Sequence, residues 1–365
     1  MRRLARPLVL VFALAGAARA AATSIRGVVL VDLAGLSPSQ AEALAREAPR
    51  ALVFEQAVSQ GASILPSAAS LMSSQYLQTH GVSSADGSLS TGSFTLAQAL
   101  EKGGFATGAF VAGPALKPAL GFSRGFSVYD FRAEASSGAL RGALDAALLW
   151  LDARRTSRFF LFIHAERPAG ESLDAFRVLR RSLEEKGLDK NTIVVLTAST
   201  GPDGKLLSDA SIHVPLLVWR PGGTAARVRP VVRLVDLAPA LLDWTGLQPP
   251  ESFQGASLAP LAEGKPAAPR YGFSAAGTDA SRPTTFSIRA DGWHLVYDKA
   301  RGESQLYDLK GDPAETKDAQ DQHPEVSLDL TQRLMRHLRE TRSSGGRREQ
   351  LSPELLNELR EKGYW

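Results

Sequence analysis

The 365-residue chain contains no cysteine. That excludes disulfides, cysteine metal ligands and a thiolate nucleophile, and leaves stability to an ordinary hydrophobic core. Charge of one sign is also missing. Of the 42 Lys and Arg, four (Arg2, Arg3, Arg6 and Arg19) lie in the first 22 residues, which hold none of the 38 Asp and Glu. The rest of the chain is therefore balanced, and its alkaline character says nothing of a polyanionic partner. No basic stripe with interleaved aromatics occurs, so nucleic acid is not an expected partner. Beyond the N-terminus no apolar run is long enough to cross a bilayer, so no transmembrane segment is expected once that region is removed.

Three arginines followed by the short apolar run Leu8 to Leu14 and by Ala18-Arg19-Ala20 read as a secretory signal over residues 1–22. Export to the periplasm, or secretion, is expected. The length suits one large α/β domain with a small appendage.

Five apolar runs read as strands buried on both faces: 27–31, 105–113, 159–165, 192–200 and 214–222. Between them, helical periodicity covers 39–50, 95–102, 139–153, 172–186 and 235–246. Ser37-Pro38 marks one start and Gly103-Gly104 one stop. Alternating strands and helices predict a mostly parallel sheet covered on both faces, a three-layer α/β/α sandwich spanning 25–265. From about residue 266 the texture changes to short alternating strands at 284–289, 293–297 and 305–309, with Asp291-Gly292 as a hairpin turn. A helix from 324 to 341 completes a small antiparallel subdomain over 266–341. A linker and a short terminal helix at 352–362 are expected within 342–365.

The segment GASILPSAASLMSSQYLQTHGV (61–82) resembles the nucleophile segment of the sulfatases, in the alkaline phosphatase-like superfamily. GFSRGFSVYD (121–130), NTIVVLTAST (191–200), SIHVPLLVWRPG (211–222), VRLVDLAPALLDWTGL (232–247), FQGASLAPL (253–261) and the C-terminal IRADGWHLVYD and QLYDLKGDPAETKD resemble further pieces of that family, in the same order. The resemblance covers about residues 25 to 340 and implies an alkaline phosphatase-like fold and a hydrolase of sulfuric esters.

The same resemblance places the family's nucleophile at Ile64, whose side chain has no attacking atom. It places the family's cation ligands, usually for Ca²⁺, at Leu33, Ala34, Ser199 and Thr200. Asp32 stands one residue before the first pair. Hard cations take carboxylate and carbonyl oxygens, and neutral hydroxyls cannot balance a dication. The expectation is therefore a degenerate member, a pseudoenzyme acting as an exported binding or scaffold domain, with no cofactor. Its partner would be a sulfated or neutral glycan or a protein. The alternative is a hydrolase of sulfate or phosphate esters with a rearranged site and Ca²⁺. Asp32, Ser63 or Ser67, His164, Lys205 and His213 would then have to converge. Each also has a structural role to fill: Ser67 as a helix N-cap, His80 in shaping its loop, His164 as a strand-end residue lacking a second histidine at Ala169, Lys205 as a solvated loop lysine, and Arg124 in an ion pair.

Overall fold

The computed structural model describes residues 25–47, 50–83, 87–166, 171–202, 206–277 and 283–344. The expected signal segment, Ala169, Lys205 and the expected terminal helix at 352–362 lie outside the described residues.

The larger sheet is built on β1 (Gly27–Ala34), whose every residue is buried. The strand runs three residues beyond the apolar stretch legible in sequence, because Asp32 finds its hydrogen-bond partners inside the protein. Chain order then gives α1 (Pro38–Glu47), β2 (Leu52–Phe54), β3 (Ala57–Val58), α2 (Ile64–Ser73), α3 (Leu77–His80), α4 (Leu96–Lys102), β4 (Ala106–Ala112) and β5 (Val128–Arg132). There follow α5 (Ser137–Asp152), β6 (Phe159–Glu166), α6 (Glu171–Glu185), β7 (Thr192–Thr197), α7 (Asp209–Ile212), β8 (His213–Val214) and β9 (Leu216–Trp219). The remainder is β10 (Ala226–Val228), β11 (Val232–Arg233), α8 (Leu237–Trp244), α9 (Ala259–Ala262), β12 (Gly272–Ala276), β13 (Thr285–Ala290), β14 (Trp293–Asp298), β15 (Glu303–Asp308) and α10 (Pro324–Ser344).

Eight strands form the central sheet in the order β10-β2-β9-β7-β1-β6-β4-β5. Strands β7, β1, β6, β4 and β5 run parallel, as do β10 and β2. Strand β9 is antiparallel to both its neighbours. The protein is thus the three-layer α/β/α sandwich with a mostly parallel sheet that the sequence predicts. A small sheet, β11-β3-β8, and a four-stranded antiparallel meander, β12-β13-β14-β15, complete it. The meander turns at Asp291-Gly292, where Gly292 has φ 80°, a left-handed value that favours glycine.

Local chemistry fixes the helix ends. Ser37 and Gln40 cap α1 reciprocally: Gln40 N–H donates to Ser37 Oγ and Ser37 N–H to Gln40 Oε1. Thr95 and Gln98 do the same for α4. Helix α10 continues through Ser344, past the linker start expected at Arg342. In the 121–130 stretch, Gly125 has φ 83°, and a Cβ there would stand 2.2 Å from Gln98 N, so only glycine fits. Beneath the meander a second core gathers Ala275, Phe286, Ile288, Leu295, Leu306, Leu330, Leu334 and Leu338, and takes in Leu77 from α3. Leu77 thereby ties the 61–82 segment to the meander.

Candidate functional site at the strand ends

In a parallel sheet, ligands bind beyond the carboxyl ends of the strands. Here those ends carry Asp32, Leu33 and Ala34 from β1, His164 and Glu166 from β6, and Ser199 and Thr200 just past β7, which stops at Thr197. Parallel register sets Asp32 beside His164 on one side and Thr197 on the other. The side chains of Asp32 and His164, 132 residues apart, meet: His164 Nδ1–H donates to Asp32 Oδ2 at 2.8 Å. Asp32 Oδ1 accepts the Ser199 backbone N–H at 2.6 Å. Both side chains are fully buried, so burial without these bonds would be costly.

His164 Nε2 has no hydrogen-bond partner, although Glu166 Oε1 stands 4.0 Å away. That carboxylate accepts the Ala115 N–H at 2.6 Å. Sequence reasoning passed over Glu166. The signal was present, since residues two apart on a strand share a face.

A chain of hydrogen bonds runs from this pair to the 61–82 segment. Ser59 Oγ donates to Ser199 O at 2.6 Å, with Gly61 O at 3.2 Å. Ser67 Oγ donates to the same Gly61 O at 3.0 Å. Ser274 Oγ, from the subdomain strand β12, donates to Ser59 O. Ser59 carried no signal in the sequence, being one serine in a loop.

Helix α2 begins at Ile64, with Ser63 at its N-cap position. This corrects the expectation for Ser67, which lies one turn inside the helix, fully buried and bonded to Gly61. Ser63 is exposed and its side chain makes no capping bond. Pro66 is tolerated because the first-turn N–H groups have no intrahelical partner. Ile64 packs part-buried against the main core.

The remaining candidates do not gather here. His213 donates from Nε2 to Glu55 O at 2.9 Å, and its Nδ1 lies 3.6 Å from Asp209 Oδ2. His80 is buried, with Nδ1 accepting the Val82 N–H and Nε2–H donating to Ser70 Oγ. Burial pushes its pKa down to about 3, so it is a neutral hydrogen-bonding strut. Arg124, expected in an ion pair, instead donates to the Gly121 and Leu89 carbonyls. Of the five candidates among the described residues, only Asp32 and His164 meet through their side chains.

The segment beyond the site is held from the subdomain. Arg289 pairs with Asp209 and donates to Gln56 Oε1, and the Asp209 N–H donates to Glu315 Oε2 at 2.7 Å. Burial raises the Asp209 carboxyl, but His213 and Arg289 outweigh it and hold the group well below the usual range.

The charge at the strand ends is sparse. Both Asp32 oxygens and Glu166 Oε1 are engaged within the protein, Leu33 and Ala34 are apolar, and Ser199 and Thr200 carry hydroxyls. Ser199 Oγ is buried without a partner. Among the described residues no group of three His, Asp or Glu side chains is set to hold a metal ion. No helix among them is long and apolar enough to cross a membrane.

Residues 202–344 match the family model described as N-sulphoglucosamine sulphohydrolase, C-terminal. Arylsulfatase K of Bos taurus is 32% identical over 172 residues, 42% of this chain and 32% of that protein. N-acetylglucosamine-6-O-sulfatase of Bacteroides thetaiotaomicron is 28% identical over 154 residues, 36% of this chain and 27% of that protein. The matched stretch thus spans about a third of the curated relatives' length. Among solved structures, the phosphonate monoester hydrolase of Agrobacterium radiobacter superposes with TM-score 0.73 at 16% identity, covering 87% of this chain and 96% of that one. A protein solved in complex with its substrate D-glucosamine-2-N,6-O-disulfate gives TM-score 0.74 at 14% identity, covering 89% of this chain and all of the other. At such identities the likeness is one of fold.

Proposed function

We propose that this chain, a sulfatase-like protein in fold and in C-terminal sequence, is an exported pseudosulfatase that binds or scaffolds and does not hydrolyse. The observation that carries the reading is the engagement of Asp32. A divalent cation of the Ca²⁺ type needs several anionic or carbonyl oxygens converging on one point. The one carboxylate at the first cation position is tied to His164 and to the Ser199 N–H. Leu33, Ala34, Ser199 and Thr200 supply no second charge. This donor set does not fit the ion. With Ile64 at the position that the resemblance gives the nucleophile, that position carries no atom able to attack sulfur or phosphorus.

A sulfated or neutral glycan, or a protein, is the partner this reading assigns, with Thr200 as a neutral hydrogen-bonding group. The test is an assay of the purified protein on aryl sulfate and aryl phosphate esters with Ca²⁺, Mg²⁺, Mn²⁺ and Zn²⁺ in turn. Turnover at the uncatalysed rate is expected. Turnover well above it that EDTA abolishes would overturn the reading.

One observation favours the alternative hydrolase. His164 is oriented by Asp32 through Nδ1 and leaves Nε2 free, the arrangement of a general base awaiting a hydroxyl. Ser67 does not supply that hydroxyl, since its Oγ is bonded to Gly61 O. Metal-independent turnover that disappears in His164→Gln, with the fold intact by circular dichroism, would establish this alternative.

A further inference from the structure

A cleft of about 290 Å³ opens at the other end of the central sheet, beside the start of β7. Its volume lies near the lower end of the range for small-ligand pockets. Thr192 in its wall is in register with Gly27, as Thr197 is with Asp32. Five residues of strand separate the two levels, about 17 Å. The cleft is therefore distinct from the strand-end site, and its assignment does not rest on the reading given above.

Its charges are unusual for this face of the molecule. The neighbouring cations Arg177, Arg181 and Lys186 all sit against carboxylates at 2.6 to 2.8 Å. Inside the cleft, Arg180 is likewise matched by Glu184 at 2.9 Å, and its guanidinium lies over the Trp219 ring. Arg50 and Lys190 also line the cleft, and among the described residues neither has a carboxylate partner. Asp189 is the single opposing carboxylate outside the Arg180–Glu184 pair. Arg220 contributes to the rim, but its guanidinium is turned onto Trp244.

One further observation marks the place. Arg50 holds φ 82°, a left-handed conformation that an arginine adopts at a cost and that recurs at ligand clamps. Two uncommitted cations at one cleft are the complement of a tetrahedral oxyanion, which carries negative charge and several acceptor oxygens.

We propose that this cleft binds a sulfate or phosphate monoester group, with Arg50 and Lys190 supplying the charge. The experiment is isothermal titration of the full chain with glucose 6-sulfate, glucose 6-phosphate and glucose. Binding of at least one ester, and none of glucose, is expected; which ester binds more tightly names the source of the anion. Lys190→Ala and Arg50→Gly are each expected to weaken it about tenfold. Glycine suits φ 82°, so Arg50→Gly should melt no lower than the parent, and lost binding then cannot be lost folding. Equal binding of glucose, no binding of either ester, or unchanged affinity in both variants would overturn the proposal. So would loss of binding in Thr200→Ala alone, which would move the ester to the strand-end site.

Discussion

Asp32 and Asp236 are both completely excluded from solvent, and they keep opposite company. Asp236 lies between two guanidiniums. Arg233 donates to both its oxygens, at 2.8 and 3.1 Å, and Arg270 donates to Oδ2 at 2.5 Å. The Arg233 and Ala256 backbone N–H groups add a fourth and a fifth bond. Arg233 also reaches the Tyr76 hydroxyl, whose pKa burial raises to about 12. Asp32 has one imidazole and one backbone N–H. The first cluster joins α3, β11 and the segment leading to β12, and its charges balance where they stand. The second lies at the strand ends, beside the positions where the sulfatase resemblance puts a cation. Asp236 answers to fixed arginines, whereas Asp32 has no guanidinium or ammonium partner.

The largest expected effect tests the first half of that contrast. Asp236→Asn leaves the part-buried Arg233 and Arg270 without a balancing charge. Breaking a buried pair by removing one partner costs about 3–5 kcal/mol. Urea unfolding should show a loss of that order, or no folded protein. Asp32→Asn should cost less, about 2 kcal/mol, because it weakens one charge-assisted contact and one backbone contact and orphans no arginine. A loss at Asp32 as large as that at Asp236 would break the comparison.

Acid sharpens the contrast from a different side. His337 stacks on Phe273 at 3.8 Å between ring centroids and meets Tyr76 edge-on at 4.3 Å, beside the Asp236 cluster. Burial, with Arg233 nearby, pushes its pKa down to about 3. The unfolded chain then binds this proton from about pH 6.5 downward while the folded chain does not. Stability is full above that pH and falls between about 6.5 and 3, by about 1.4 kcal/mol per pH unit for this histidine. His337→Phe keeps the stacking and removes the proton. Urea midpoints at pH 7.5 and 5.0 should lie closer together in that variant than in the parent, and an unchanged gap would contradict the assignment.

The sequence displayed the sheet well. Buried parallel strands are continuous apolar runs, and 105–113 and 159–165 needed only a residue or two of correction. The short strands β2 and β3 escaped because two or three residues carry no period. Strand β12 escaped because its Ser and Ala residues do not alternate strongly. At the site, the sulfatase resemblance pointed to Leu33, Ala34, Ser199 and Thr200, which end β1 or follow β7, but it carried no sign of what Asp32 touches. The Asp32–His164 bond spans 132 residues and has no local signature. Ser67 reads as a helix cap in the sequence, but the helix begins at Ile64 and the first turn accommodates Pro66.

The smallest expected effect is the most discriminating. Ile64→Ser restores a hydroxyl at the position that the sulfatase resemblance assigns to the nucleophile. Losing a part-buried isoleucine should cost about 1–2 kcal/mol of stability. No gain of turnover on aryl sulfates or phosphates is expected, with or without Ca²⁺. A serine hydroxyl is a poor nucleophile unless a base or a cation lowers its pKa. The cation positions Leu33, Ala34, Ser199 and Thr200 supply no charge, and His164, the one oriented base, is fully buried with Asp32. Turnover that appears in Ile64→Ser and vanishes with EDTA would mean that a cation binds despite this donor set. The contrast between Asp32 and Asp236 would then fail, because Asp32 would have to leave His164 or Ser199 to hold the ion.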